Sequence, residues 1–253
     1  MSDDQLWLHT FGPAEAPIRL VCVPHAGAGI SHFAGWRPLL PGDVALDAVQ
    51  LPGRERRWRE RPLTDLATAA EILAPYVLVR AERAPVVLFG HSMGGLLAYA
   101  LAGLLAAAGR PAAHVVVSGC QPSDRPLPRR RIGHLPDDDF VAAIGGHGGL
   151  PAELAAELAA SARLMELFLP TLRADVRMAE AYFPDPARPL HSPLTAFGGD
   201  RDTRVPWAAV REWRHYTVGG FAERLFPGPH LFIRPAQDEV VAAVRAVLEG
   251  VRR

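Results

Sequence analysis

The sequence is poor in cysteine, in net charge and in long apolar runs. Its two cysteines, Cys22 and Cys120, each sit beside an apolar strand-like run, which excludes a disulfide framework and suggests buried thiols. Lys+Arg and Asp+Glu both number 27, so no global field draws the chain toward nucleic acid or an anionic membrane. A charged partner must be met by a local patch. No stretch of about 18 apolar residues offers a membrane span. The start, Met1-Ser2-Asp3-Asp4-Gln5, is acidic and polar, where a secretory signal is basic and then apolar. These absences predict a protein that neither crosses a membrane nor is exported, with the reducing cytoplasm as its compartment.

What remains is ordinary globular material. The chain has 253 residues, 49% hydrophobic and 21% charged, enough to close one sizeable core and far from the composition of disordered chains. A single domain over residues 1–253 is expected.

Short apolar runs alternate with longer runs of helical period, the sequence sign of an α/β fold with a mainly parallel central sheet flanked by helices. Strands are predicted at Leu6–Phe11, Ile18–Val23, Ala45–Gln50, Val86–Phe89, His114–Ser118, Leu194–Phe197 and Arg224–Phe226. Their continuous apolar character implies burial on both faces. Helices are predicted at Leu63–Arg83, Gly94–Ala108 and Glu239–Leu248. From Gln121 to His191 the rhythm breaks: prolines and three successive arginines lead into helical stretches with no strand between. An insertion at a strand's carboxyl end lies where open α/β sheets bind ligands, so residues 121–191 are expected to form a helical cap, or lid.

The chemistry centres on Gly90-His91-Ser92-Met93-Gly94, a Gly-x-Ser-x-Gly motif between a strand and a helix. This is the context of a nucleophile elbow, in which a strained turn presents the serine and the flanking glycines avoid steric collision. The turn aims the Met93 amide at a developing oxyanion, with the positive end of the helix behind it. A second donor is expected from Ala26, in the small-residue loop Pro24-His25-Ala26-Gly27-Ala28-Gly29 after an earlier strand.

A serine hydroxyl needs a base, and in this arrangement the chain order is serine, acid, histidine. Asp202 follows the Leu194–Phe197 run and His230 follows Phe226-Pro227-Gly228-Pro229. Asp202 is the expected acid, with Asp200 as competitor. His9, His25, His32, His114, His147 and His215 are read as packing or surface residues. No metal or cofactor is called for.

Several segments together carry a resemblance over nearly the whole chain. They are Pro24-His25-Ala26-Gly27, Gln50-Leu51-Pro52-Gly53-Arg54-Glu55, Gly90-His91-Ser92-Met93-Gly94, Leu169-Pro170-Thr171-Leu172-Arg173-Ala174-Asp175 and Phe226-Pro227-Gly228-Pro229-His230. The chain resembles the type II thioesterases of polyketide and nonribosomal peptide biosynthesis, of the α/β-hydrolase fold. The resemblance implies editing: hydrolysis of aberrant or stalled acyl thioesters from the phosphopantetheine thiol of an acyl or peptidyl carrier protein. It places Ser92, Asp202 and His230 on the family's triad positions and makes the insertion its mobile lid. Two features depart from the family pattern: Ser118-Gly119-Cys120-Gln121-Pro122 lacks an arginine soon after Ser-Gly, and Gly145-Gly146-His147-Gly148-Gly149 is richer in glycine. Carrier proteins are acidic, so the arginines within Arg54–Arg61 and Arg125–Arg131 form a candidate docking rim. Nucleic acid and membrane are not expected partners. The rival readings are a carboxylesterase or lipase acting on oxygen esters with the same triad, and a non-catalytic ligand-binding module on the same fold.

Overall fold

Strands β2 (Ile18–Val23), β3 (Val44–Val49), β4 (Val86–His91) and β6 (Leu194–Gly199) are buried along their whole length, which is why their sequences run apolar without alternation. The computed structural model describes residues 3–124 and 131–252. With β1 (Leu8–Phe11), β5 (His114–Ser118) and β7 (Phe221–Phe226), these strands form one seven-stranded sheet ordered β1-β3-β2-β4-β5-β6-β7. All neighbours are parallel except β1 and β3. The chain moves outward from β2 to β3, then crosses back to β4. The loops after β2 and β4 therefore flank the point where strand order reverses, which is where open sheets bind ligands.

Successive residues of one strand feed opposite faces. Val21 and Val23 join Leu88, Val115 and Val117 under helices α2 (Leu66–Ala81) and α3 (Met93–Ala107). Leu20 and Cys22 join Phe89 and Val116 on the other face, beneath α8 (Gln237–Val251) and the 3-10 segment Ile30–Leu39. Both cysteine thiols are buried and no disulfide joins them; burial, then the nearby Asp47 carboxylate, pushes the Cys22 thiol well above its usual pKa. No described helix is long and apolar enough to cross a membrane.

Between β5 and β6 the chain forms α4 (Asp137–Gly146), α5 (Ala152–Ala160) and α6 (Ala162–Ala181). These helices have a core of their own, including Phe140, Ile144, Leu158, Leu169, Leu172 and Val176. After β6 comes α7 (Trp207–Val210), a single turn.

Most element boundaries differ from the sequence expectation by one to three residues, and four elements show why. Leu6 and Trp7 close a short helix, α1 (Asp3–Trp7), and β1 starts only at Leu8; the Trp7 ring is stacked near Tyr76 and covered by the Arg57 guanidinium 3.9 Å away. Helix α2 begins at Leu66, because Asp65 caps it by accepting a hydrogen bond from the Thr68 amide at 2.7 Å. Helix α8 extends beyond Glu239–Leu248 at both ends. Strand β7 starts earlier, at Phe221, and is exposed from Ala222 to Leu225. It pairs only with β6, so the two-sided burial expected of every strand fails at this edge.

Candidate active site

Strand β4 enters the elbow with Ser92 at φ 55, ψ −120, a left-handed conformation that costs a non-glycine residue about 1–3 kcal/mol. The Ser92 amide donates to the Ser118 carbonyl at 2.7 Å and helps hold the turn. The two motif glycines are required sterically: a Cβ on Gly90 would lie 1.9 Å from the Gly94 carbonyl oxygen, and one on Gly94 would lie 2.3 Å from the Val23 carbonyl oxygen. The second contact shows how closely the loop after β2 approaches the first turn of α3.

The loops after β6 and β7 bring Asp202 and His230 to this serine. His230 Nε2 lies 2.9 Å from Ser92 Oγ, and Nδ1 lies 2.8 Å from Asp202 Oδ2. A carboxylate only accepts, so Nδ1 carries the proton and Nε2 presents its lone pair to the Ser92 hydroxyl. Asp202 Oδ1 accepts the Arg204 and Val205 amides, both at 2.9 Å, which fixes the carboxylate. Asp200 serves elsewhere: its Oδ1 accepts the Gly228 amide at 2.7 Å, and it pairs with the exposed Arg201. It steadies the loop leading to His230.

The two backbone donors expected to face an oxyanion, the N–H groups of Met93 and Ala26, make no hydrogen bond among the described residues. Met93 opens α3, whose first N–H groups lack intrahelical acceptors. Ala26 sits in a loop fixed from several sides. The Ala28 amide donates to the His25 carbonyl at 3.0 Å, and His25 Nδ1 donates to the Ala26 carbonyl at 3.0 Å. The Gly27 amide donates to Asp175 Oδ2 at 2.8 Å.

Sequence reasoning missed several residues of the site. His91 is fully buried, its Nε2 2.9 Å from the His230 carbonyl oxygen and its Nδ1 2.9 Å from Ser118 Oγ. The carbonyl only accepts, so His91 donates through Nε2, and the Ser118 hydroxyl donates to its bare Nδ1. Burial, then neighbouring His230, His25 and His32, holds the His91 pKa well below the ordinary value, so the ring is neutral. Gly119, at φ 58, admits the ring: a Cβ there would lie 2.6 Å from His91 Cε1. These contacts give roles to Ser118-Gly119.

Asp175, on α6 and wholly buried, accepts two hydrogen bonds from Arg54, at 2.5 and 2.9 Å, besides the Gly27 amide. Arg54 also donates to the Ala28 and Pro52 carbonyls. Glu55 accepts the Ile30 and Ser31 amides, both at 3.0 Å, where the 3-10 segment begins. Thr171 Oγ1 donates to the Gly53 carbonyl at 2.8 Å. The sequence flagged these segments as distinctive, but only the folded chain shows that they touch. It also corrects the docking stripe. Arg54 and Arg57 are each 5% exposed, the latter paired with Glu60 and bonded to the Gln50 carbonyl; only Arg56, Arg59 and Arg61 face solvent. Of the second stripe, Arg125 and Arg129–Arg130 lie outside the described residues, while Arg131 is exposed 3.6 Å from Asp124.

One cavity is lined by Ser92 and a second by the Ala26–Gly29 loop. The first, narrow and of about 50 Å³, lies between Leu96, Cys120, Ala179, Glu180 and Arg204. Burial depresses the Arg204 pKa against the opposing pull of Glu180 and Asp202. An open groove of about 490 Å³ runs past the Ala26–Gly29 loop, walled by Trp58, Leu164, Leu167 and Phe168, with Arg234 at its edge.

The thioesterase-domain family profile matches residues 18–248. The chain is similar to the gramicidin S biosynthesis protein GrsT of Aneurinibacillus migulanus, 33% identical over 89% of this chain and 87% of that one. Among solved structures it is similar to RedJ, a thioesterase of the prodiginine pathway of Streptomyces coelicolor, at 38% identity and TM-score 0.83, covering 93% of this chain and 87% of that one. It is similar as well to YbtT, a type II thioesterase of the yersiniabactin pathway, at 28% identity and TM-score 0.85, covering 97% and 99%. The seven-stranded sheet, the elbow and these likenesses agree: the chain belongs to the thioesterase family, on the α/β-hydrolase fold of the type II enzymes.

Proposed function

We propose that this protein is an editing thioesterase, with Ser92 as nucleophile, His230 as general base and acid, and Asp202 as the group that orients and stabilises the imidazole. Its substrates are aberrant or stalled acyl groups on the phosphopantetheine thiol of carrier proteins in polyketide or nonribosomal peptide synthesis. The observation that carries the reading is the continuous line from Ser92 Oγ through His230 to Asp202, at 2.9 and 2.8 Å, together with two unpartnered backbone donors.

The chemistry follows from that line. Ser92 Oγ attacks the acyl carbonyl carbon as its proton passes to His230 Nε2. The Met93 and Ala26 N–H groups bind the oxyanion; one such donor contributes about 3 kcal/mol to the barrier reduction. Collapse of the tetrahedral intermediate breaks the C–S bond, and the thiolate takes the proton from His230. Water then gives a proton to His230 and attacks the Ser92 ester, and a second collapse releases the acid and restores the hydroxyl.

The names of the relatives support a carrier-bound substrate: GrsT is a gramicidin S biosynthesis protein, and YbtT is a type II thioesterase of a nonribosomal peptide and polyketide pathway. Helices α4–α6 act as the lid of a single domain, and the cytoplasm, where carrier proteins are loaded, is the compartment. Every one of the 27 basic residues is arginine, and exposed Arg56, Arg59 and Arg61, the second stacked 4.6 Å from the Trp58 ring centroid, supply a rim for an acidic carrier protein.

The test is hydrolysis of a panel of acyl carrier proteins beside matched oxygen esters, with fluorophosphonate labelling. Thioester turnover above ester turnover, and labelling abolished in Ser92→Ala, are expected; the variant's kcat falls by about 10⁶. Faster ester turnover makes the protein a carboxylesterase. Labelling that survives in Ser92→Ala removes the nucleophile assignment.

A further inference from the structure

The Arg54–Asp175 pair is an expensive way to fasten two segments. A buried ion pair is often matched or exceeded in stability by well-packed apolar residues of similar volume, so stability alone gives no reason for it here. An apolar residue at 175, however, could not accept the Gly27 amide. That bond joins residues 148 apart in sequence and reaches the loop that carries the Ala26 donor.

The surrounding bonds show what it controls. The peptide between Ala26 and Gly27 is held at both poles: its carbonyl accepts from His25 Nδ1 and its N–H donates to Asp175. The preceding peptide has its His25 carbonyl engaged by the Ala28 amide. In a trans peptide the N–H points opposite to the carbonyl, so the Ala26 N–H is aimed by the bond on the other side of its plane. The Ala28 amide that engages the His25 carbonyl follows directly on the 26–27 peptide, so releasing that peptide from Asp175 loosens the same turn and with it the bond that aims the Ala26 N–H. Helix α6 also packs directly on this turn. Gly27 has φ +75, and a Cβ there would lie 3.0 Å from Phe168 Cζ and 3.1 Å from Leu172 Cδ1, both on α6.

We propose that Asp175, locked by Arg54, is a positioning residue for the oxyanion hole, so that the inserted helix α6 is part of the catalytic machinery and its seating completes the Ala26 donor. This inference rests on the proposed thioesterase reading. Arg54 grips the fully buried Asp175 with two charge-assisted hydrogen bonds, and its bonds to the Ala28 and Pro52 carbonyls tie the same loop to the turn after β3.

The experiment compares the full chain with its Asp175→Asn and Arg54→Lys variants. Each is assayed with an acyl N-acetylcysteamine thioester across pH, and for inhibition by a trifluoromethyl ketone. That inhibitor adds to Ser92 Oγ, sends the proton to His230, and leaves an oxyanion in the hole. A misdirected donor lowers kcat by up to about 100-fold, as expected for loss of one oxyanion contact, and weakens the ketone in proportion. The KM and the pH midpoint of kcat/KM stay at wild-type values, because His230 is untouched. Arg54→Lys keeps the charge, loses the two-pronged contact, and serves if Asp175→Asn does not fold. Folded variants with wild-type kcat and ketone affinity overturn the proposal and leave a packing clamp; a change in KM alone, or a shifted pH midpoint, also overturns it. If the wild-type chain hydrolyses no thioester at all, the proposed function fails first.

Discussion

On the sheet side of Ser92, His230 is steadied by groups at the ends of neighbouring strands. His91 ends β4, Ser118 ends β5, and Gly119 follows with its amide on the Phe197 carbonyl of β6 at 2.9 Å. On the loop side, the Ala26–Gly29 turn is steadied from α6 and from the turn after β3, through partners 121 and 148 residues apart in sequence. The first set is placed by strand register, so it exists whenever the sheet exists. The second exists only when the inserted helices are docked. Under the proposed mechanism, the base is preformed and one oxyanion donor depends on the insertion.

The variant with the largest expected effect strikes where the two sides meet. A Cβ in Gly94→Ala would lie 2.3 Å from the Val23 carbonyl oxygen and 2.6 Å from that of Pro24. Both contacts are backbone on strand and loop, so neither yields by a rotamer change. The β2 loop must move away from α3 and carry Ala26 with it. Loss of at least ~10³-fold in kcat is expected, the scale of a dismantled oxyanion hole, along with a lower melting temperature. An active Gly94→Ala enzyme would mean that the loop side adapts far more freely than its bonds suggest.

The second variant separates the sides. His91→Phe keeps the ring volume but leaves the His230 carbonyl and the Ser118 hydroxyl buried without partners. Each unsatisfied group costs about 1–3 kcal/mol, so a loss of about 2–6 kcal/mol in unfolding free energy is expected. The base moves with its backbone, so the pH profile of kcat/KM shifts, whereas Asp175→Asn leaves it in place. If both variants move the same kinetic parameter, the division into two sides is wrong.

The same division explains what the sequence revealed. Buried parallel strands have to be apolar on both faces, so β2, β4, β5 and β6 were legible to within a few residues. Edge strand β7, exposed over Ala222–Leu225, announced only its last part. Ser92, Asp202 and His230, which the structure brings into one hydrogen-bonded line, could be singled out because each follows a strand and the expected order is serine, acid, histidine. The Asp65 cap of α2 was also readable in principle, as an acid three residues before Thr68. Arg54 was not: among Arg56, Arg57, Arg59 and Arg61 it looks like solvated charge, and only the tertiary fold reveals that its partner lies on α6. His91 was hidden within the motif that identified its neighbour.

The smallest expected effect concerns acid. Beneath the loop side, His25 and His32 lie edge to face with ring centroids 4.9 Å apart, and His25 lies 6.1 Å from His91. Burial, with Arg234 nearby, lowers His32 from 6.5 to about 4, and burial followed by His32 lowers His25 well below its ordinary value. A folded pKa depressed below the unfolded one means that the unfolded chain binds the proton first as pH falls. Stability is therefore complete above pH ~6.5 and is lost progressively toward pH ~4. At pH 5 the His32 share is about 2 kcal/mol, from roughly 1.4 kcal/mol per pH unit below 6.5. His32→Phe keeps the ring and removes the proton, so its melting temperature should fall less steeply than wild type between pH 6.5 and 4, with the two curves parallel above pH 7. Parallel curves throughout would take the acid sensitivity away from His32 and leave it to the other buried histidines, His25 and His91.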